Sequence, residues 1–158
     1  FGATKNGALG AEAVIIFDKD LADTFAFRRK RGGHLFSKMR LLSAQMEAYL
    51  SDELWRYNAE HANAMAARLR DGIAPLASFE FPYTDGANML FPKLPATLHR
   101  ALNDEGFIFY GGRWEEDVVR LVTAFNTDAN HVDAFINAAV RLERSGHASP
   151  SLYSAGIS

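Results

Sequence analysis

At 158 residues, with 48% hydrophobic and 23% charged residues, the chain has the composition of a folded, soluble protein able to bury a core. A net charge of -2 gives no general attraction for a polyanion such as nucleic acid, and the lack of cysteine excludes disulfides and thiolate metal sites. No run of about 18 apolar residues is present to span a bilayer, so a cytoplasmic protein without membrane or nucleic-acid partners is expected.

In chain order, FGATKNGALG comes first. Opening on Phe1 instead of Met, and lacking the charged-then-apolar plan of a signal peptide, the chain reads as a fragment of something longer. Lys5 sits among Gly, Ala, Thr and Asn, which suits either a solvated surface charge or an amine held where a bulky ligand approaches the backbone. Gly7 and Gly10 precede a strand-like run instead of linking a strand to a helix, so they fail as a dinucleotide fingerprint.

AEAVIIF at 11–17 is apolar and β-branched, and predicts a buried strand. Asp18 and Asp20 suit the positive end of a helix that runs to about Arg31 and stops at Gly32-Gly33. RRKRGGH at 28–34, with Lys38 and Arg40 beyond, can be an anion site or a helix C-terminus carrying cations that favour its negative end. Met39, Leu42, Met46, Tyr49 and Leu50 recur at helical steps, and Trp55, Ala62, Met65, Leu69 and Ile73 form a similar stripe after Ser51-Asp52. Together they predict a helical hairpin or one bent helix.

Past Gly72 and Pro75 the texture changes. Strands are expected at 78–81, 88–94, 107–110 and 118–125, with helices at 95–105 and 130–144; the second carries Val132, Phe135, Ile136, Ala139 and Val140 inward. The order implies an α+β sandwich with helices on one face of a mostly antiparallel sheet. Residues 147–158 read as a loosely ordered tail. Strand alternation groups Arg120 with Val118, Val122 and Ala124. A guanidinium among apolar neighbours suits a carboxylate ligand, while an Arg on a solvated strand face is the alternative. The five histidines show no zinc-site spacing, so no metal is expected; His34, beside the Gly-Gly turn, stands apart from the other four. No serine-centred hydrolase motif occurs.

Four stretches in this order, ATKNGALGAEAVIIF, RRKRGGHLFSKMRLLSAQ, LWRYNAEHANAMAARL and RWEEDVVRLVTAF, resemble the pyridoxal-phosphate-dependent threonine aldolases of the low-specificity and phenylserine aldolase type. The likeness runs from Phe1 to about Arg144. It implies an α/β protein of the aspartate-aminotransferase-like fold type I, with residues 1–74 closing the large cofactor-binding domain and 75–146 forming the small α+β domain. It further implies pyridoxal 5'-phosphate as cofactor, held covalently by Lys5, which is the catalytic residue. Arg120 falls where the family's strand arginine binds the substrate carboxylate. Lys38 falls roughly where related aldolases place an arginine that approaches the cofactor phosphate from a neighbouring subunit; lysine keeps that charge but loses the planar fork.

The implied reaction cleaves a β-hydroxy-α-amino acid, such as threonine or phenylserine, to glycine and an aldehyde. A β-eliminating lyase or aminotransferase relative, and a noncatalytic oligomerisation module, are the alternatives. In the family, the aspartate at the ring nitrogen, the group stacked on the ring and much of the phosphate cup come from before the lysine, so this chain alone is expected to be inactive. The surplus of apolar side chains on the helices predicts a homo-oligomer, with part of residues 35–75 covered by the missing half or by a second subunit.

Overall fold

The computed structural model describes residues 1–35, 37–84, 86–113 and 115–146; the expected tail at 147–158 lies outside them. The chain divides into two compact units, Phe1–Asn58 and Ala59–Ser158.

In the first unit a 3-10 turn, Thr4–Asn6, leads through an extended stretch into α1 (Lys19–Arg31) and α2 (Met39–Leu50). α1 has the bounds that its local signals predict. Asp18 caps it by accepting a hydrogen bond from the Leu21 N–H at 2.9 Å, and Gly32 closes it by donating to the Arg28 carbonyl at 2.8 Å. Arg28, Arg29, Lys30 and Arg31 occupy its last turn, where cations meet the carbonyl end of the macrodipole.

The expected strand at 11–17 does not form. Among the described residues it pairs only at the Gly2–Glu12 bridge, flanked by the bonds that Ala3 and Ala13 donate to Ala11 and Phe1 at 2.8 Å each. Beyond Ala13 no strand of the described residues lies beside the segment, and Val14, Ile15 and Phe17 are exposed, Phe17 at 94%. An apolar β-branched run becomes a strand only where another backbone supplies its hydrogen bonds. Among the described residues of this unit, Ala3 and Ala11 are the buried hydrophobic ones.

The two helical stripes that follow belong to separate helices. Ser51 ends α2, its hydroxyl donating to the Glu47 carbonyl at 2.7 Å. The chain then turns through Asp52 and Glu53, both left-handed at φ 49° and 57°, before α3 (Leu54–Ile73) begins. α3 continues into the second unit, where Ala62, Ala66, Leu69 and Ile73 form its buried side.

The second unit holds the core. β1 (Met89–Leu90), β2 (Tyr110–Gly111) and β3 (Val119–Val122) form an antiparallel sheet in the order β1-β3-β2. The register pairs Leu90 with Leu121 and Tyr110 with Arg120. Leu69 and Ile73 of α3, Leu98 and Leu102 of α4 (Ala96–Asp104), and Val132, Phe135, Ala139 and Leu142 of α5 (Ala129–Arg144) share one cluster with Leu90, Val119 and Leu121. This is the α+β arrangement that the sequence predicts, with shorter strands. Residues 78–81 contribute a single bridge, Glu80 to Lys93, and 107–110 join the ladder only at Tyr110. Phe107 and Phe109 are anchored instead by edge-to-face contacts with Phe135, at 5.3 and 5.8 Å between centroids. A Cβ at Gly72 would come within 2.4 Å of Ile136, so glycine is what lets α3 and α5 approach there.

Arg68 of α3 binds Asp133 of α5 through two hydrogen bonds of 2.7 Å. They hold the Asp133 carboxyl below its ordinary value of 3.8 and raise the guanidinium. A carboxylate lowered in the folded state contributes stability above its unfolded pKa, and this is lost as pH falls through the folded one. Asp133→Asn is therefore expected to lower the urea midpoint modestly at pH 7, the pair being solvent-screened, and to match wild type once the pH is well below 3.8.

Candidate active site

Lys5 occupies the middle of the Thr4–Asn6 turn and is exposed. Among the described residues it makes no ion pair. Because a three-residue turn has no helical ladder to fix it, the flanking residues do so. Upstream, Ala3 is fully buried, and its carbonyl accepts from the Asn6 and Ala8 N–H groups at 3.0 and 3.1 Å. Downstream, Gly7 takes φ 117°, a conformation L side chains rarely adopt, and lets the chain reverse immediately after the lysine.

The α2–α3 corner grips this turn through side chains that sequence reasoning missed. The Asn6 amide donates to the Tyr49 hydroxyl at 2.7 Å and to the Trp55 carbonyl at 2.8 Å, while the Asn6 carbonyl accepts from Asn58 at 2.8 Å. Gln45 accepts from the Leu9 N–H at 2.8 Å. In sequence Asn6 is one small neighbour of the lysine among several, and Tyr49 is part of an apolar stripe; their pairing spans 43 residues and leaves no local signal.

Lys38 lies just ahead of α2, exposed at its N-cap position, where its ammonium, having no acceptor, makes no capping bond with the free N–H groups. The cations at 28–31 are exposed on the last turn of α1, with the Arg29 Nε donating to the His34 carbonyl at 3.3 Å. That matches the helix-end arrangement. His34 itself is exposed, and no group of three or more His, Asp or Glu among the described residues could hold a metal ion.

Arg120 stands in the second unit on β3 and is half-buried. Val119 and Leu121 lie in the core cluster, and Arg120 stands on the other face between Val118, which is fully buried, and Val122, which is 52% exposed. The Arg120 Nε is itself buried, so the guanidinium sits at the edge between apolar packing and solvent. Its carbon lies 5.6 Å from the centre of the Tyr110 ring, directly across the ladder, and Arg113 approaches the same ring at 4.8 Å. Lys5 and Lys38 therefore belong to the first unit and Arg120 to the second.

No family model matches the chain. It is 36% identical over 131 residues to a low specificity L-threonine aldolase of Pseudomonas aeruginosa, covering 77% of this chain and 38% of that protein. A second low specificity L-threonine aldolase, from a Pseudomonas species, is 38% identical over 110 residues, covering 70% of this chain and 32% of that one. The structure superposes on Leishmania major threonine aldolase with a TM-score of 0.82 and 30% identity, over 90% of this chain and 42% of that one. The family to which these likenesses point is that of the threonine aldolases.

The chain spans about a third of the length of the curated relatives it matches. A glycine decarboxylase of the glycine cleavage system superposes over 68% of the chain with a TM-score of 0.52 at 18% identity, which is a likeness of fold alone. The architecture is the fold type I that the four sequence stretches imply. No helix among the described residues is long and apolar enough to cross a membrane.

Proposed function

We propose that the protein containing this chain is a pyridoxal-phosphate-dependent aldolase that cleaves β-hydroxy-α-amino acids to glycine and an aldehyde, with Lys5 as its cofactor-bearing residue. The observation that carries this reading is the exposed Lys5 amine on a clamped turn, in a chain whose relatives are named threonine aldolases. The local chemistry fits the group. A carbonyl-bearing cofactor needs a primary amine not committed to a carboxylate and little side-chain bulk beside it. Lys5 is followed by Gly7, Ala8 and Gly10, and a Cβ at Gly10 would meet nothing within 4 Å.

When bound, pyridoxal phosphate supplies an electron sink for the charge left at the substrate α-carbon. The residues of this chain supply attachment and orientation. Lys5 would hold the cofactor through its primary amine. Arg120 binds the substrate carboxylate through its planar fork, which sets which bond at the α-carbon is aligned to break. Lys38 adds a positive charge toward the phosphate. Residues 1–74 serve as the end of the large domain and 75–146 as the small one. The exposed Leu9, Val14, Ile15, Phe17 and Phe27 support cover by the remainder of the protein or a second subunit, in a cytoplasmic homo-oligomer.

The direct test is glycine release. The full-length protein loaded with pyridoxal phosphate is expected to give equimolar glycine and acetaldehyde from threonine, and glycine with benzaldehyde from phenylserine. Keto acid as the sole product would contradict the aldolase reading in favour of the eliminating or transaminating relatives. Arg120→Met is expected to lower kcat/KM by about ten- to a hundred-fold, because a hydrogen bond to a charged group contributes about 1.5–3 kcal/mol. Initial rates across substrate concentrations, with N-terminally unrelated amines as controls, measure it.

A further inference from the structure

We propose that Asn6 is the positioning residue of Lys5, fixing the turn so that the lysine amine stays within reach of its carbonyl partner; this rests on the role proposed for Lys5 above. Three features single it out. Asn6 is adjacent in sequence, so any rotation of its backbone swings the lysine Cα directly. While its backbone N–H closes the turn on the Ala3 carbonyl, its side chain is spent outside the turn, both amide hydrogens being donated to Tyr49 and Trp55, and its backbone carbonyl receives Asn58. The three partners lie 43, 49 and 52 residues further along, on two helices on either side of the left-handed Asp52-Glu53 corner. The turn is therefore registered against the two helices as well as closed by its own short backbone.

The consequence is specific. A lysine side chain has many rotamers on a flexible stem, so the position of its amine depends on how firmly its Cα is held. Misplacement by about 1 Å can cost about a hundred-fold in rate. Asn6→Asp keeps the shape of the side chain and removes both donated bonds; Tyr49→Phe keeps the ring and removes one acceptor. Tyr49→Phe adds no charge, so it separates lost positioning from the effect of the carboxylate that Asn6→Asp places beside Lys5.

The experiment uses the full-length apoprotein mixed with pyridoxal phosphate, quenched with borohydride at timed intervals and digested, with the label on the Lys5 peptide quantified by mass spectrometry. Asn6→Asp is expected to slow labelling of Lys5 about ten- to a hundred-fold and to lower kcat in parallel while KM stays nearly constant. Tyr49→Phe should act in the same direction and less. A purely structural role would lower the melting temperature and leave the labelling rate of the folded protein at the wild-type value. If Asn6→Asp does not fold, Tyr49→Phe decides alone. Wild-type labelling rates in the folded variants overturn the positioning role, whereas absence of label on Lys5 in the wild type overturns the cofactor reading on which it rests.

Discussion

Lys5→Ala in the full-length protein is expected to reduce threonine cleavage to background and to abolish the near-visible absorption band that forms when pyridoxal phosphate is added. The turn explains why no neighbour substitutes. The other lysines of the unit sit on separate elements, Lys19 and Lys30 on α1 and Lys38 ahead of α2, while Lys5 alone lies on the glycine- and alanine-flanked turn. Because the lysine is exposed and makes no ion pair among the described residues, alanine there removes the reactive amine without opening a cavity or stranding a buried partner. The far-ultraviolet circular dichroism spectrum should be unchanged. Retention of both the band and the activity would remove Lys5 from the chemistry.

The largest expected loss of stability falls elsewhere. Leu98 is completely buried on α4, in the cluster that joins α3, α5 and the sheet. Leu98→Ala is expected to destabilise by about 2–5 kcal/mol, from lost transfer of the removed carbons and from the void they leave. Leu102, one helical turn on, is equally buried and should behave alike. Chemical denaturation of the full-length protein, comparing midpoints at unchanged slope, measures both. An exposed leucine such as Leu9, 93% accessible, supplies the control, because its truncation vacates no packed space.

What the sequence discloses follows how local each determinant is. α1 was legible at both ends because Asp18 and Gly32-Gly33 act within a few residues of themselves. α5 was legible because the period of Val132, Phe135 and Ala139 both defines the helix and marks its inward side. Residues 11–17 were misread because their apolar pattern describes a strand but cannot supply the backbone that would pair with it. At Arg120 a period of two correctly groups residues 118, 120 and 122, yet the same pattern cannot say which side of the sheet the helices cover. Nor could it place Tyr110 against the guanidinium, since that contact depends on register.

The candidate site divides in the same way. Lys5 and its small neighbours are visible as a local composition, and the family likeness gives them a meaning. Asn6, Gln45, Tyr49 and Asn58 are not visible as a set, because they become one only when the turn meets the α2–α3 corner. The residue that would do the chemistry was thus readable, and the residues that hold it were not.

The most direct measurement is borohydride reduction of the complete, pyridoxal-phosphate-loaded protein, followed by digestion and mapping of the pyridoxyl group by mass spectrometry. Stoichiometric label on the peptide containing Lys5, with the other lysines unmodified, is the predicted result. Label fixed on a different lysine, or none retained at saturating cofactor, would contradict the assignment of Lys5.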